Sequence, residues 1–313
     1  MSLFHRLGAA PLLALACLAG CAPGRGPDRS EVAASEPTQA VTRLVRDLRH
    51  DDLADYARHA VPPALHVQLD AAWREGRSRW PLTELPLHAR LPGMLTTLAA
   101  PGAEKALLAT YNRQFAGADG ELRSAAATVS LFAVQYLQRE GDYSDEERSH
   151  YIQLVGALGR WGKRAPLGDS RRARAAIPQL VSAARLTGLA GRPGESRFGQ
   201  FGMDRSLRRL GPFFARFKRV LRGYGLDIDA ALDSVRVDLA EQTGDTARVR
   251  LRYTIAGHDI DAYVRMQRIG GQWYLADALR RAQVQATAPA AAVPIPAAAV
   301  DVAAPRRRRG ELA

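Results

Sequence analysis

Apolar residues in the first two thirds of the chain recur at the three- and four-residue spacing of amphipathic helices. Val41, Leu44 and Leu48 form the first such stripe, just after Pro37. The pattern predicts a mostly helical region over residues 37–187, with helices at 37–48, 51–60, 64–75, 94–98, 103–116, 120–140, 144–159 and 170–186.

Local signals add detail to this helical region. Ser144 is followed three residues later by Glu147, which is the spacing of a capping box and predicts a helix start. Pro178 is expected to bend or split the last helix. Glycines cluster in residues 188–204, which we interpret as a linker or mobile loop. In the helix at 120–140, the apolar spacing predicts a core-facing stripe of Val129, Phe132, Ala133, Tyr136 and Leu137.

Residues 206–222 have a strong amphipathic pattern, with phenylalanines opposite arginines. Two interpretations follow: the helix lies among lipid headgroups, or its apolar stripe packs under a sheet and its basic side remains outside. The apolar residues are Leu207, Leu210, Phe213, Phe214, Phe217, Val220 and Leu221. The candidates for binding an anionic surface are Arg205, Arg208, Arg209, Arg216, Lys218, Arg219 and Arg222.

Beyond Gly225 the apolar period becomes two residues, which is typical of strands. Alternating segments at 235–239, 247–253, 260–266 and 273–275 are separated by short turns and predict a four-stranded antiparallel meander. The predicted fold class is α+β: a mostly helical N-terminal part, then an amphipathic helix and the sheet over residues 205–283. Residues 284–313 are rich in Ala and Pro and end in four arginines before Gly-Glu-Leu-Ala, which predicts a disordered tail.

The chain is basic, with 44 Lys and Arg against 32 Asp and Glu, a formal charge of +12. Arginine far outnumbers lysine, which occurs only at Lys105, Lys163 and Lys218. This preference fits a GC-rich genome or attraction to anionic lipid headgroups, lipopolysaccharide or cell-wall polymers. Both cysteines, Cys17 and Cys21, lie near the N-terminus, so the rest of the chain holds itself together by apolar burial without disulfides.

The N-terminus has the layout of an export signal, in which a short basic start precedes an apolar run over residues 7–18 that is too short to span a bilayer. The run ends in Leu18-Ala19-Gly20-Cys21, which resembles the lipobox of bacterial lipoproteins. This resemblance implies that residues 1–20 are a cleaved signal peptide, that cleavage falls between Gly20 and Cys21, and that Cys21 is lipidated.

Lipidation of Cys21 would anchor the protein in a bilayer, since the family attaches three acyl chains and each buried methylene contributes about 0.8 kcal/mol. The residue after the cysteine is Ala22. In enterobacterial lipoproteins an aspartate at this position retains the protein at the inner membrane. Its absence here implies, by the same resemblance, a protein anchored in the outer membrane and facing the periplasm. Polar residues 21–36 contain Gly and Pro and predict a flexible tether. Export makes nucleic acid an improbable partner and leaves the bilayer, an envelope protein or an anionic polymer as candidates.

A second resemblance concerns the fold. Two short N-terminal helices, a later helix and a meander closing in Gly270-Gly-Gln-Trp-Tyr-Leu-Ala276 resemble the nuclear transport factor 2-like superfamily, which includes many small bacterial lipoproteins. The likeness covers residues 40–75 and 205–283, and the helical stretch between them has no counterpart in the compact family pattern. It implies a curved sheet folded over helices into a cone.

Two side-chain groups are candidates for chemistry. Asp55, His59 and His66 flank a proline pair and either converge on a metal ion or are solvated surface groups. His258 and Asp261 lie on a predicted strand, where Asp261 either faces a cone interior with a raised pKa or belongs to the polar face of a hairpin. No motif predicts a cofactor or a metal site.

Two hypotheses from different classes follow. The first is an envelope lipoprotein with a non-enzymatic binding or scaffold role, because the sequence contains no convergent catalytic set. The second is a hydrolase or isomerase that acts on an envelope small molecule in a pocket under the sheet, with Asp261 or His258 as acid or base. The second requires these side chains to point inward.

Overall fold

The structure is a computed structural model that describes residues 35–85, 88–191 and 197–289. The predicted signal peptide, Gly20, Cys21 and nearly all of the tether lie outside the described residues, as do residues 290–313 of the predicted tail.

Twelve α-helices occur in the described part of the chain, with two short 3₁₀ turns at Leu82–Glu84 and His88–Arg90. The capping box that Ser144 and Glu147 predict is present. The helices are Pro37–Arg49 (α1), Leu53–His59 (α2), Pro63–Arg74 (α3), Leu91–Ala99 (α4), Ala103–Gln114 (α5), Asp119–Arg139 (α6), Asp145–Gly162 (α7), Ser170–Thr187 (α8), Phe198–Phe201 (α9), Met203–Gly223 (α10), Ile228–Asp233 (α11) and Ala276–Thr287 (α12).

A four-stranded antiparallel sheet follows α11, with the strands in the order of the sequence. Two-residue turns join β2 to β3 and β3 to β4, and Gly270 and Gly271 both have positive φ angles, of 57° and 80°, as such tight hairpin turns require. The predicted α+β class is confirmed. The strands are Arg236–Thr243 (β1), Thr246–Ile255 (β2), His258–Ile269 (β3) and Gln272–Leu275 (β4).

Helix α10 connects the helical region to the sheet region. Its first half places Leu207, Leu210 and Phe213 in the main core with α2, α3 and α12, whereas Phe217 and Leu221 pack with α7, α11 and the sheet. A third cluster lies between α1 and strands β2, β3 and β4. The helical and sheet regions are therefore packed through shared elements.

The glycine-rich segment is more ordered than a mobile loop in its described part. Phe198 is 1% exposed, and its backbone oxygen accepts a hydrogen bond of 3.0 Å from Nε1 of Trp73. Gly202 has a positive φ of 73° at the boundary of α9 and α10. The linker prediction missed this packing because the anchoring partner, Trp73, lies far away in sequence.

One boundary and one buried face differ from the sequence predictions. Helix α12 ends at Thr287, so residues 284–287 are helical, whereas we predicted a disordered tail from residue 284. In α6, Val129, Phe132 and Tyr136 are exposed by 47%, 58% and 54%, so the prediction that they face the core is wrong. The reason is that α6 packs mainly against α7, which covers only the side that contains Ala126 and Leu137.

Candidate anion-binding surface

The apolar stripe of α10 packs inside the protein. All seven predicted apolar residues of this helix are buried, from Leu207 to Leu221. Of the two interpretations, packing under the sheet and helices is therefore correct. The basic residues of α10 decide whether its outer side can bind an anion. The structure divides them into three groups, with two intermediate cases.

The first group is Lys218, which is 2% exposed and unavailable to an external anion. Its Nζ lies 2.6 Å from Oδ1 of Asp229 and 3.0 Å from Oδ1 of Asp51. The prediction that Lys218 binds an anionic surface is wrong, because its position between Phe217 and Leu221 turns it inward. Burial raises the pKa of Asp51, an effect that the ammonium group of Lys218 opposes.

The second group consists of arginines that already have partners in the protein. Arg222 forms ion pairs of 2.9 Å with both Asp227 and Asp229. Arg209 donates a 2.9 Å hydrogen bond to the backbone oxygen of Thr187, and its guanidinium carbon lies 4.4 Å from the ring centre of Phe201. These contacts fix local structure.

Arg205 and Arg208 are intermediate cases, since both are exposed but each has one contact. The guanidinium carbon of Arg205 lies 5.1 Å from the ring centre of Phe201, and a nitrogen of Arg208 lies 3.8 Å from Oδ2 of Asp204. Exposed pairs at such distances contribute little free energy, so both groups remain accessible to an external anion.

The third group is Arg216 and Arg219, which form no ion pair with any carboxylate among the described residues. Arg216 donates to Oε1 of Gln179 at 3.1 Å, and Arg219 donates to the backbone oxygen of Ala215 at 3.4 Å. Neither guanidinium group is therefore held in an ion pair, although the charge of Arg219 also acts on Asp51, where it opposes the rise in pKa that burial causes. They are the strongest candidates for binding an anion.

Helices α8 and α10 run antiparallel, and their outer sides form a groove beside these two arginines. Three hydrogen bonds join the helices, between Arg172 and Gly223, between Gln179 and Arg216, and between Thr187 and Arg209. The groove has a volume of about 460 Å³ and is open to solvent. Its lining consists of Pro178, Gln179, Ser182, Ala183, Leu186, Pro212, Ala215, Arg216 and Arg219.

Most of the groove lining is apolar, and Leu186 within it is 78% exposed. An apolar wall beside two guanidinium groups that form no ion pair suits a ligand that combines a negative group with hydrocarbon. Sequence analysis found the arginines but missed the half of the groove that α8 contributes. The available signal was the spacing of Gln179, Ser182 and Leu186, which places them on one face of a helix.

The predicted acid–base pair lies elsewhere and does not have the required environment. Arg250 donates from Nε to Oδ1 of Asp261 at 2.8 Å, and this hydrogen bond lowers the pKa of the exposed carboxyl group. Of the two alternatives for Asp261, the polar face of the hairpin therefore fits the structure, and an inward-facing carboxyl group with a raised pKa does not. Nε of Arg160 donates to Nε2 of His258 at 2.9 Å, and partial desolvation together with Arg160 and Arg164 lowers the pKa of His258.

The two histidines near the proline pair point to different carboxylates. Nδ1 of His59 lies 2.6 Å from Oδ2 of Asp47, and Nε2 of His66 lies 3.2 Å from Oδ1 of Asp204. Asp55 pairs instead with Arg58. Among the residues that the structure describes, no three histidine, cysteine or acidic side chains are placed to bind one metal ion.

Within the described ranges, none of the helices combines the length and apolar character needed to cross a membrane. Comparisons of the chain with family models, curated proteins and solved structures find no match. The resemblances to lipoproteins and to the nuclear transport factor 2-like superfamily therefore stay predictions.

Proposed function

We propose that the protein is a lipid-anchored binding protein of the bacterial envelope, held by Cys21 in the outer membrane and facing the periplasm.

 Its role in this proposal is non-enzymatic: the groove between α8 and α10 binds the anionic headgroups of a phospholipid bilayer. The observation that carries the proposal is the position of Arg216 and Arg219, which have no carboxylate partner among the described residues and lie beside the exposed Leu186.

The chemistry of the groove favours a lipid surface. A basic residue near an anionic membrane contributes about 1 kcal/mol of attraction, and an exposed apolar side chain beside it can enter the boundary between headgroups and acyl chains. Arg205 and Arg208, which are exposed on the same helix, add to the positive field.

The anchor supports the same arrangement. Residues 21–36 separate Cys21 from α1, and an extended segment of this length spans about 50 Å. The tether therefore allows the folded part to turn its groove toward the membrane that holds the acyl chains.

Binding to vesicles tests the proposal with the unlipidated chain from residue 22, which contains every residue that the structure describes. We expect flotation with vesicles that contain phosphatidylglycerol, no flotation with pure phosphatidylcholine, and a loss of binding at high salt. The double variant Arg216→Gln/Arg219→Gln should bind roughly 30-fold more weakly, since it loses about 2 kcal/mol of attraction. Leu186→Ser should also weaken binding.

Matched controls separate the groove from the overall charge. Arg123→Gln/Arg236→Gln removes two exposed positive charges on α6 and β1, and Val67→Ser replaces an exposed apolar side chain on α3. Both controls should bind like the parent chain. Equal losses in the two double variants, or binding to an isolated cell-wall polymer in place of vesicles, would contradict the assignment of the groove to lipid.

A further inference from the structure

Helix α6 exposes an apolar stripe that the fold leaves uncovered. Val129, Phe132 and Tyr136 are each about half exposed, and with Ala125 they follow the spacing of one helix face. This face lies about 100° around the helix from Ala126 and Leu137, which are buried on the side that packs against α7. Large apolar side chains grouped in this way mark an interaction surface more often than isolated ones do.

The charges around this stripe have a distinctive arrangement. Residues 124–138 contain no charged side chain, so the middle of the helix is neutral. Arg123 borders the neutral segment on its N-terminal side, and on the face of Phe132 Glu121 lies before the segment and Arg139 lies after it. Glu121 and Arg139 are separated by about five helical turns, and therefore point in nearly the same direction as Phe132.

Glu121 and Arg139 are both exposed, and neither forms an ion pair or side-chain hydrogen bond within the described residues. The face thus presents one negative end, an apolar middle and one positive end. A second helix with the same face complements it when the two run antiparallel, because each end then meets its opposite charge.

We propose that two copies of this chain associate through antiparallel pairing of their α6 helices. Contacts in a two-fold symmetric interface occur in pairs. When a residue of the first copy contacts a given residue of the second copy, the same two positions also meet with the copies exchanged. Pairing Glu121 with Arg139 across the interface centres the contact at the level of Ser130, whose own side chain faces Gly159 of α7, and places Phe132 level with Thr128 of the other copy. The α6 helix of the second copy therefore pairs with both Glu121 and Arg139 and also covers the apolar stripe.

Electrostatics favours a second copy over an anionic surface, since the neutral middle of α6 offers an anion no attraction. A single pair of helices is a small interface, at the low end of the sizes of specific complexes. We therefore expect a weak dimer whose population increases with protein concentration. The pairing is independent of the proposed lipid-binding groove, which lies on α8 and α10.

Sedimentation equilibrium of the unlipidated chain from residue 22 tests the pairing over a wide concentration range. The parent chain should show a reversible monomer–dimer equilibrium. Phe132→Ser should leave it monomeric with an unchanged thermal midpoint, because Phe132 is 58% exposed. Val67→Ser, at a position that is 68% exposed on α3, should dimerise like the parent chain.

Charge reversal gives the sharper result. Glu121→Arg and Arg139→Glu should each weaken dimerisation by about tenfold, because each replaces two attractive pairs with two repulsive ones. The double variant Glu121→Arg/Arg139→Glu should recover the affinity of the parent chain. A parent chain that stays monomeric at every concentration, or a double variant no tighter than the single variants, would overturn the proposal.

Discussion

Nζ of Lys218 lies 2.6 Å from Oδ1 of Asp229, and both side chains are almost completely buried. Asp51 approaches the same ammonium group from the other side at 3.0 Å, and Arg222 pairs with the second oxygen of Asp229. Two buried carboxylates thus depend on a lysine that the sequence pattern assigned to the surface. Buried charges are tolerated only when they are paired in this way.

Replacing Lys218 with Met should destabilise the protein strongly. The variant leaves Asp51 without its ammonium partner and reduces the compensation of Asp229, and breaking a buried pair costs about 3–5 kcal/mol. Urea denaturation at neutral pH measures the free energy of unfolding. Arg219→Gln, one position later and exposed, should change it by less than about 0.5 kcal/mol. Equal effects of the two substitutions would show that the Lys218 network contributes no stability.

His150 should make stability depend on pH. Burial lowers the pKa of His150 to about 4, and its Nε2 lies 2.8 Å from the hydroxyl oxygen of Tyr253. As pH falls, His150 of the unfolded chain gains a proton near pH 6.5, before His150 of the folded protein does. The contribution of His150 to the free energy of unfolding is therefore present above about pH 6.5 and is lost as pH falls toward about 4. The loss amounts to about 3 kcal/mol at most.

The variant His150→Gln removes this titration. Its free energy of unfolding should fall less than that of the parent chain when both are titrated from neutral pH to about pH 4. The other ionisable groups are common to both proteins, so the difference between the two curves isolates His150. Parallel curves would show that His150 titrates alike in the folded and unfolded states.

Gly159 should be intolerant of a methyl group at the crossing of α6 and α7. A Cβ atom there would lie 2.7 Å from Cβ of Ser130, which is too close for two carbon atoms. Gly159→Ala should therefore lower the thermal midpoint. Gly156→Ala, in the same helix, meets only the end of the Arg160 side chain at 3.5 Å and should raise stability by about 0.5–1 kcal/mol through helix propensity. A gain at both positions would contradict the close approach of α6 and α7.

Local signals in the sequence predicted much of the fold. The capping box at Ser144 and the glycine turn at Gly270 act within a few residues, and both are present in the structure. The inward turn of Lys218 and the exposure of Phe132 depend on which elements pack nearby, which helical spacing does not encode. Only the arginines of the groove were predicted, because they lie together in α10. Leu186 lies in α8, and the pairing of the two helices cannot be read from either helix alone.

We propose that Cys21 carries lipid and anchors the protein. Labelled fatty acid, supplied to a bacterial host that expresses the full chain and its Cys21→Ser variant, tests it most directly. We expect the parent chain to incorporate label and to collect in the membrane fraction, whereas the variant should incorporate none. Label on the Cys21→Ser variant, or a parent chain without label, would contradict it.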